Sequence, residues 1–128
     1  MSYQDMKIDY IELPARDMAG TRRFFEAVFG WQFTDYGPDY MAFDRQIVEG
    51  GFYRAESASD SDTGAALVIF YARDLGQARA LITSHGGVIK QDIFAFPGGW
   101  RFHFTCPSGN EFAIWSDQPE HASAADTP

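Results

Sequence analysis

The stretch "YIELPARD", residues 10–17, returns in altered form as "LVIFYARD", residues 67–74. Both end in Ala-Arg-Asp, and the offset between them is 67 − 10 = 57 positions. A repeat that reports on architecture persists beyond a few letters, and this one does. Asp17 is followed by MAGTRRFFEAVFGW and Asp74 by LGQARALITSHGGV, so that Met18 meets Leu75, Phe24 meets Leu81, Phe25 meets Ile82 and Gly30 meets Gly87. Each Asp suits a helix N-cap, its carboxylate accepting a free backbone N–H. Each Gly suits a helix stop, since it tolerates the left-handed conformation. Phe24, Phe25, Val28 and Phe29 form a helical stripe, matched by Ala78, Leu81, Ile82 and His85.

The segments before each Asp read as strands. Ile8 to Leu13 mixes polar and apolar residues with period two, whereas Leu67 to Tyr71 is almost wholly apolar, the pattern of a strand covered on both faces. After each helix come three more strand candidates. In the first copy they are Trp31–Phe33, Tyr40–Phe43 and a short run around Phe52–Tyr53. In the second they are Val88–Lys90, Trp100–Thr105 and Phe112–Trp115, the last two entered through Pro-Gly-rich turns. The offset drifts to about 60 by Tyr40 against Trp100, as loops of unequal length would produce. The expected fold is α+β, with two tandem βαβββ modules, residues 7–53 and 65–116, in one domain spanning 7–116. The polar stretch 54–64 is the expected linker, and 117–128 the expected frayed tail.

A length of 128 residues allows one ordinary core and no second independent domain. A net charge of −8 with scattered basic residues excludes nucleic acid and anionic membrane surfaces as natural partners. One cysteine, Cys106, permits no internal disulfide and fits a reducing compartment. No run approaches a membrane span and the first ten residues carry no signal-type apolar region, so a cytoplasmic location is expected.

One βαβββ unit leaves a curved sheet with one face under its helix and one face open. Pairing two units closes an aromatic-lined cleft, the usual form of a small-molecule site. Here the residues resemble a family. The stretch IELPARDMAGTRRFFEAVFGWQF, the segment EGGFY, the loop FPGGW and the run CPSGNEFAIW are similar to the vicinal oxygen chelate superfamily, which includes glyoxalase I, bleomycin-resistance proteins and extradiol dioxygenases. The resemblance implies a paired-module cleft in a homodimer. In the metal-dependent members it also implies ligands on the first and last strand of each module. Those places fall on Tyr10, Leu67 and Ala113, with the fourth near Phe52–Tyr53, flanked by Glu49 and Glu56. Leu and Ala offer no donor, and Tyr binds divalent metals poorly unless ionised. A conventional metal-dependent lyase or dioxygenase is therefore disfavoured, and no metal or other cofactor is expected; neither glycine-containing loop matches a phosphate-binding fingerprint.

Strand alternation puts Glu12 on the face of Tyr10, and sets Arg101, His103 and Thr105 opposite Trp100, Phe102 and Phe104. The same rule turns Ala113 and Trp115 to the cleft, and Phe112 and Ile114 to the helix. The expected ligand-binding residues are Tyr10, Glu12, Tyr71, Arg101, His103 and Trp115. The leading expectation is a metal-free cleft for a small aromatic or cationic molecule: the acidic chain favours a neutral or cationic ligand by long-range steering, and Glu12, either paired with Arg101 or holding a ligand's amine, gives that preference a local contact. The alternative is a lyase or isomerase using Glu12 and His103 as acid and base, or a displaced divalent-metal site. A purely structural module is the third reading. Cys106, without a basic neighbour, reads as inert; His85 lies at a helix end, and His121 in the tail.

Overall fold

The computed structural model describes residues 3–44 and 46–118. The first half runs β1 (Tyr10–Ala15), α1 (Met18–Phe29), β2 (Gln32–Asp35), β3 (Tyr40–Asp44) and β4 (Glu49–Arg54). The second half runs β5 (Val68–Tyr71), α2 (Leu75–Ser84), β6 (Val88–Phe96), β7 (Gly99–Thr105) and β8 (Glu111–Ser116). The sheets have the orders β1-β4-β3-β2 and β5-β8-β7-β6, with the first strand of each parallel to the last and the other pairs antiparallel. The duplication seen in Ala-Arg-Asp is thus a duplication of topology.

The caps explain where the helices begin. Asp17 accepts a hydrogen bond from the Gly20 amide at 2.9 Å, and Asp74 accepts one from Gln77 at 2.9 Å. α1 ends as its sequence predicts, with Gly30 in the left-handed region at φ 70°. α2 does not: its C-cap is His85, and Gly86 rather than Gly87 takes the positive φ, at 96°. Gly87 serves packing instead, since a Cβ there would lie 2.4 Å from Ile82 Cγ2.

Two strand expectations need correction. β6 continues six residues past Lys90, to Phe96. Its register against β7 breaks between Ile89 and Gln91 and again between Gln91 and Phe94, which scrambles the period-two signal. β5 is not covered on both faces. Ile69 and Tyr71 are 45 % and 48 % exposed, because among the described residues no layer packs on their side.

The core lies on the helix-facing sides of both sheets. Phe24 and Phe25 of α1, Leu13, Met41, Phe43 and Phe52 of the first sheet, and Phe102, Phe104, Phe112 and Ile114 of the second form one buried cluster with Leu75 and Ile82 of α2. Removing each such Phe side chain from water contributes about 1.5–3 kcal/mol. Alternation along β7 is as expected: Trp100, Phe102 and Phe104 are buried while Arg101, His103 and Thr105 are only partly so.

A polar clasp joins the halves. Asn110, fully buried, donates from Nδ2 to the Pro14 carbonyl at 2.7 Å and accepts from the Ser59 amide at 2.8 Å. Ser108 Oγ accepts from the Asp17 amide at 3.1 Å and lies 2.6 Å from Thr21 Oγ1. Asn110→Ala would strand both the Ser59 amide and the Pro14 carbonyl, so the midpoint of urea denaturation should fall by the equivalent of about 2 kcal/mol. The stretch 54–64 is tied down through this clasp, and contains a short 3-10 turn at Ser61–Thr63. Most of the expected tail, with His121, lies outside the described residues, of which no helix is long and apolar enough to cross a membrane.

Candidate functional site

Each sheet has a face turned from its helix, and each carries its own hydrogen-bonded chain. On the first sheet, β1 presents Tyr10 and Glu12, and β3 presents Tyr40. Tyr40 Oη donates to Glu12 Oε2 at 2.9 Å, so Tyr10 is the donor in the 2.6 Å contact between the two phenols. Burial first, and the bond donated to the Glu12 carboxylate, push the Tyr40 ionisation well above the ordinary tyrosine range, so this hydroxyl stays a donor. Gly51 makes the arrangement possible, because any Cβ there would lie 2.2 Å from Tyr40 Oη.

On the second sheet, β7 presents Arg101 and His103, and β8 presents Glu111 and Trp115. Glu111 Oε2 lies 2.7 Å from His103 Nδ1, and His103 Nε2 lies 3.0 Å from Arg101 Nη2. A guanidinium has no acceptor, so His103 Nε2 must accept and its proton must sit on Nδ1, facing the carboxylate. The chain therefore reads Arg101 to His103 to Glu111. It holds the guanidinium beside two rings, Phe94 at 5.8 Å and Phe96 at 5.9 Å from its central carbon.

Glu111 is 4 % exposed. Burial pushes its carboxyl up, but hydrogen bonds from Ser61, His103 and Lys90 outweigh that and hold it at about 2. Ser61 Oγ and Lys90 Nζ reach Oε1 at 2.6 and 2.9 Å. A crevice of about 440 Å³ opens beside Arg101, lined by Ile69, Phe96, Pro97, Gly98 and Trp115. Trp115 meets Tyr71 edge-on at 5.1 Å and Phe96 at 6.2 Å. Tyr71 is anchored by donating to Asp117 Oδ1 at 2.6 Å, and that bond pushes its ionisation up.

Of the six residues expected at the site, Tyr71, Arg101, His103 and Trp115 thus share the open face of the second sheet, and Tyr10 and Glu12 that of the first. Among the described residues no hydrogen bond, ion pair or ring contact joins the two sets. Glu12 is engaged by Tyr40 rather than by Arg101, and it does not meet His103 within one chain. Sequence reading missed Glu111, Tyr40, Phe94 and Phe96. Glu111 was within reach, since alternation places it on the face of Ala113 and Trp115. Cys106 is 3 % exposed, and burial pushes its thiol up, so it takes no part in this chemistry.

The sequence pattern of the Glyoxalase/Bleomycin resistance protein/Dioxygenase superfamily matches residues 7–114, and the chain belongs to that superfamily. Solved structures agree on the fold. A glyoxalase-related enzyme from Fulvimarina pelagi superposes with a TM-score of 0.73 at 16% identity, covering 87% of this chain and 88% of that one. A lactoylglutathione lyase from Agrobacterium tumefaciens gives 0.66 at 17% identity, covering 89% and 96%. A glyoxalase/bleomycin resistance protein/dioxygenase family enzyme from Burkholderia phytofirmans PsJN gives 0.69 at 16%, covering 86% and 98%. No curated protein matches the sequence.

The residues present do not fit the divalent metal of the metal-dependent relatives. At the places the resemblance implies, Tyr10 is bound to Tyr40, Leu67 has no donor, and Ala113 is buried without one. Among the described residues no three His, Cys, Asp or Glu side chains gather as a ligand set. The close imidazole–carboxylate pair among the described residues, His103 with Glu111, is already closed by two cations, Arg101 and Lys90.

Proposed function

We propose that the chain is a small-molecule-binding protein of the glyoxalase/bleomycin-resistance type, which holds a flat aromatic molecule against the open face of its second sheet without a metal. The observation that carries this reading is the crevice of about 440 Å³ walled by Ile69, Phe96 and Trp115, with Arg101 held at its side by His103 and Glu111. Its size and mixed lining suit a small ligand. Area burial and edge-on ring contacts supply a few kcal/mol, enough for micromolar affinity after association costs. The aromatic part of the sequence expectation finds its counterpart here. The cationic part rested on the chain's net charge of −8 with Glu12 as its local contact, and Glu12 lies on the other sheet and already accepts from Tyr40.

Chelator-treated protein, screened by thermal shift against naphthalene-ring compounds and separately against Ni, Zn, Mn and Fe(II), tests the reading. A ligand at about 100 times its Kd adds about 2.7 kcal/mol and should raise Tm by several degrees. The expected shifts come from aromatic compounds alone. A saturable shift from one metal and none from the aromatics would overturn the proposal.

The proposal includes a homodimer. Tyr10, Tyr53, Ile69 and Tyr71 are 40–48 % exposed, and β1 and β5 are both edge strands with one side unpaired. Light scattering should give twice the 14.4 kDa chain mass at micromolar concentration, and Ile69→Lys should give the single mass with the fold retained. A wild-type monomer would remove this part.

A further inference from the structure

We infer that the molecule held on the second sheet carries a carboxylate, taken by Arg101; this rests on the binding reading above and sharpens it to one chemical class. The argument starts from pairing. Arg22, Arg54 and Arg79 each hold an aspartate at 2.7–2.9 Å. Arg101, half-buried in an aromatic crevice, has no carboxylate within ion-pair distance among the described residues. Its hydrogen bond is to a neutral imidazole, through Nη2. Its Nε is buried without a partner, and its Nη1 donates to none of the described residues.

A half-buried guanidinium that no carboxylate of the described residues completes keeps donors and a charge that an anion in the crevice would satisfy. Glu111, the carboxylate bonded to His103, cannot fill the role. It lies behind His103, and its other oxygen is held by Ser61 and Lys90. What the Glu111–His103 pair does is fix one edge of the guanidinium, so that the rest stays oriented without further ordering cost.

The crevice favours a carboxylate over a phosphate. The guanidinium fork matches two carboxylate oxygens, whereas a dianionic phosphate calls for more donors than one arginine beside Ile69, Phe96, Pro97 and Trp115 provides. Those apolar walls in turn require that the charge be attached to a ring or similar flat apolar body. The chain's net charge of −8 opposes an anion at long range, but that field is screened over about 8 Å at physiological salt, while the contact is local.

The test is calorimetric titration of chelator-treated full-length protein with three probes of one shape: 1-naphthoate, 1-naphthamide and 1-naphthylmethylammonium. Naphthoate should bind at least about tenfold tighter than the amide, and the ammonium weakest, as expected of a charge-assisted contact. Arg101→Gln should remove most of the preference for naphthoate over the amide. Arg101→Lys, which keeps the charge but loses the fork, should fall between. If the amide or the ammonium binds wild-type protein as tightly as naphthoate, the carboxylate inference is overturned while the aromatic site stands. If none of the three binds, the site itself fails and the inference goes with it. The wild-type comparison decides this even should a variant fold poorly.

Discussion

Phe25→Ala should cost about 4 kcal/mol, the largest loss expected from any single substitution in this chain. Phe25 is fully buried on α1 and is one of the rings through which the two halves share a core. It stacks on Trp31 at 4.5 Å, touches Phe52 of the first sheet at 5.5 Å, and meets Phe112 of the second sheet edge-on at 5.4 Å. Truncation removes the transfer energy of a whole ring. It also leaves a void bounded by both sheets and a helix, none of which can move in without uncoupling from the others. Against a typical total of about 5–15 kcal/mol, that loss should bring the urea midpoint down by a large fraction. Leu81→Ala, at a 37 % exposed position on α2, serves as the contrast and should cost under about 1 kcal/mol.

The second large effect is at Glu111. Glu111→Ala should cost about 3 kcal/mol, because it strands His103 and the Ser61 hydroxyl and amide that the carboxylate now accepts, while Lys90 keeps only Asp60 and Asp62. Its pH dependence has a definite sign. The folded carboxyl, at about 2, lies below its ordinary 4.5, so on acidification the unfolded chain takes up this proton first. The stabilisation is therefore fully present above about pH 5 and lost as pH falls toward about 2. Urea denaturation of wild type and Glu111→Gln across that range should show their stability difference shrinking as pH falls. A constant difference would mean that the carboxylate's charge is not what stabilises the clasp. Because the same carboxylate orders His103 and Arg101, Glu111→Gln should also loosen the guanidinium that lines the crevice.

How much of this was legible beforehand follows from the range of the interactions. Caps and alternation are local, so Asp17, Asp74 and Gly30 marked the helix boundaries, and alternation along β7 sorted Arg101 and His103 from Phe102 and Phe104. Coverage of a sheet face is not local. The apolar run at β5 looked like a strand buried on both sides, yet Ile69 and Tyr71 are open, because burial depends on which distant layers pack there. The placement of Glu12 and His103 on separate open faces has the same origin: alternation assigns each residue a side of its own sheet, but only the packing of one module on the other decides whether those sides meet. β6 was cut short because its register breaks interrupt the pattern that period-two reading relies on. Glu111 was passed over for a different reason. The resemblance implies a metal ligand at Ala113, and this draws attention from the carboxylate two residues earlier on the same strand.

The most direct test of a metal-free aromatic site on the second sheet uses the three tryptophans as internal probes. Trp31 and Trp100 are buried at 6 % and 7 % exposure, whereas Trp115 lines the crevice. In a nitrogen–proton NMR spectrum of chelator-treated protein titrated with 1-naphthoate, the Trp115 indole signal should move saturably while those of Trp31 and Trp100 hold still. Movement of Trp115 only after a divalent metal is added, or no movement of it at ligand concentrations that saturate binding, would contradict the account.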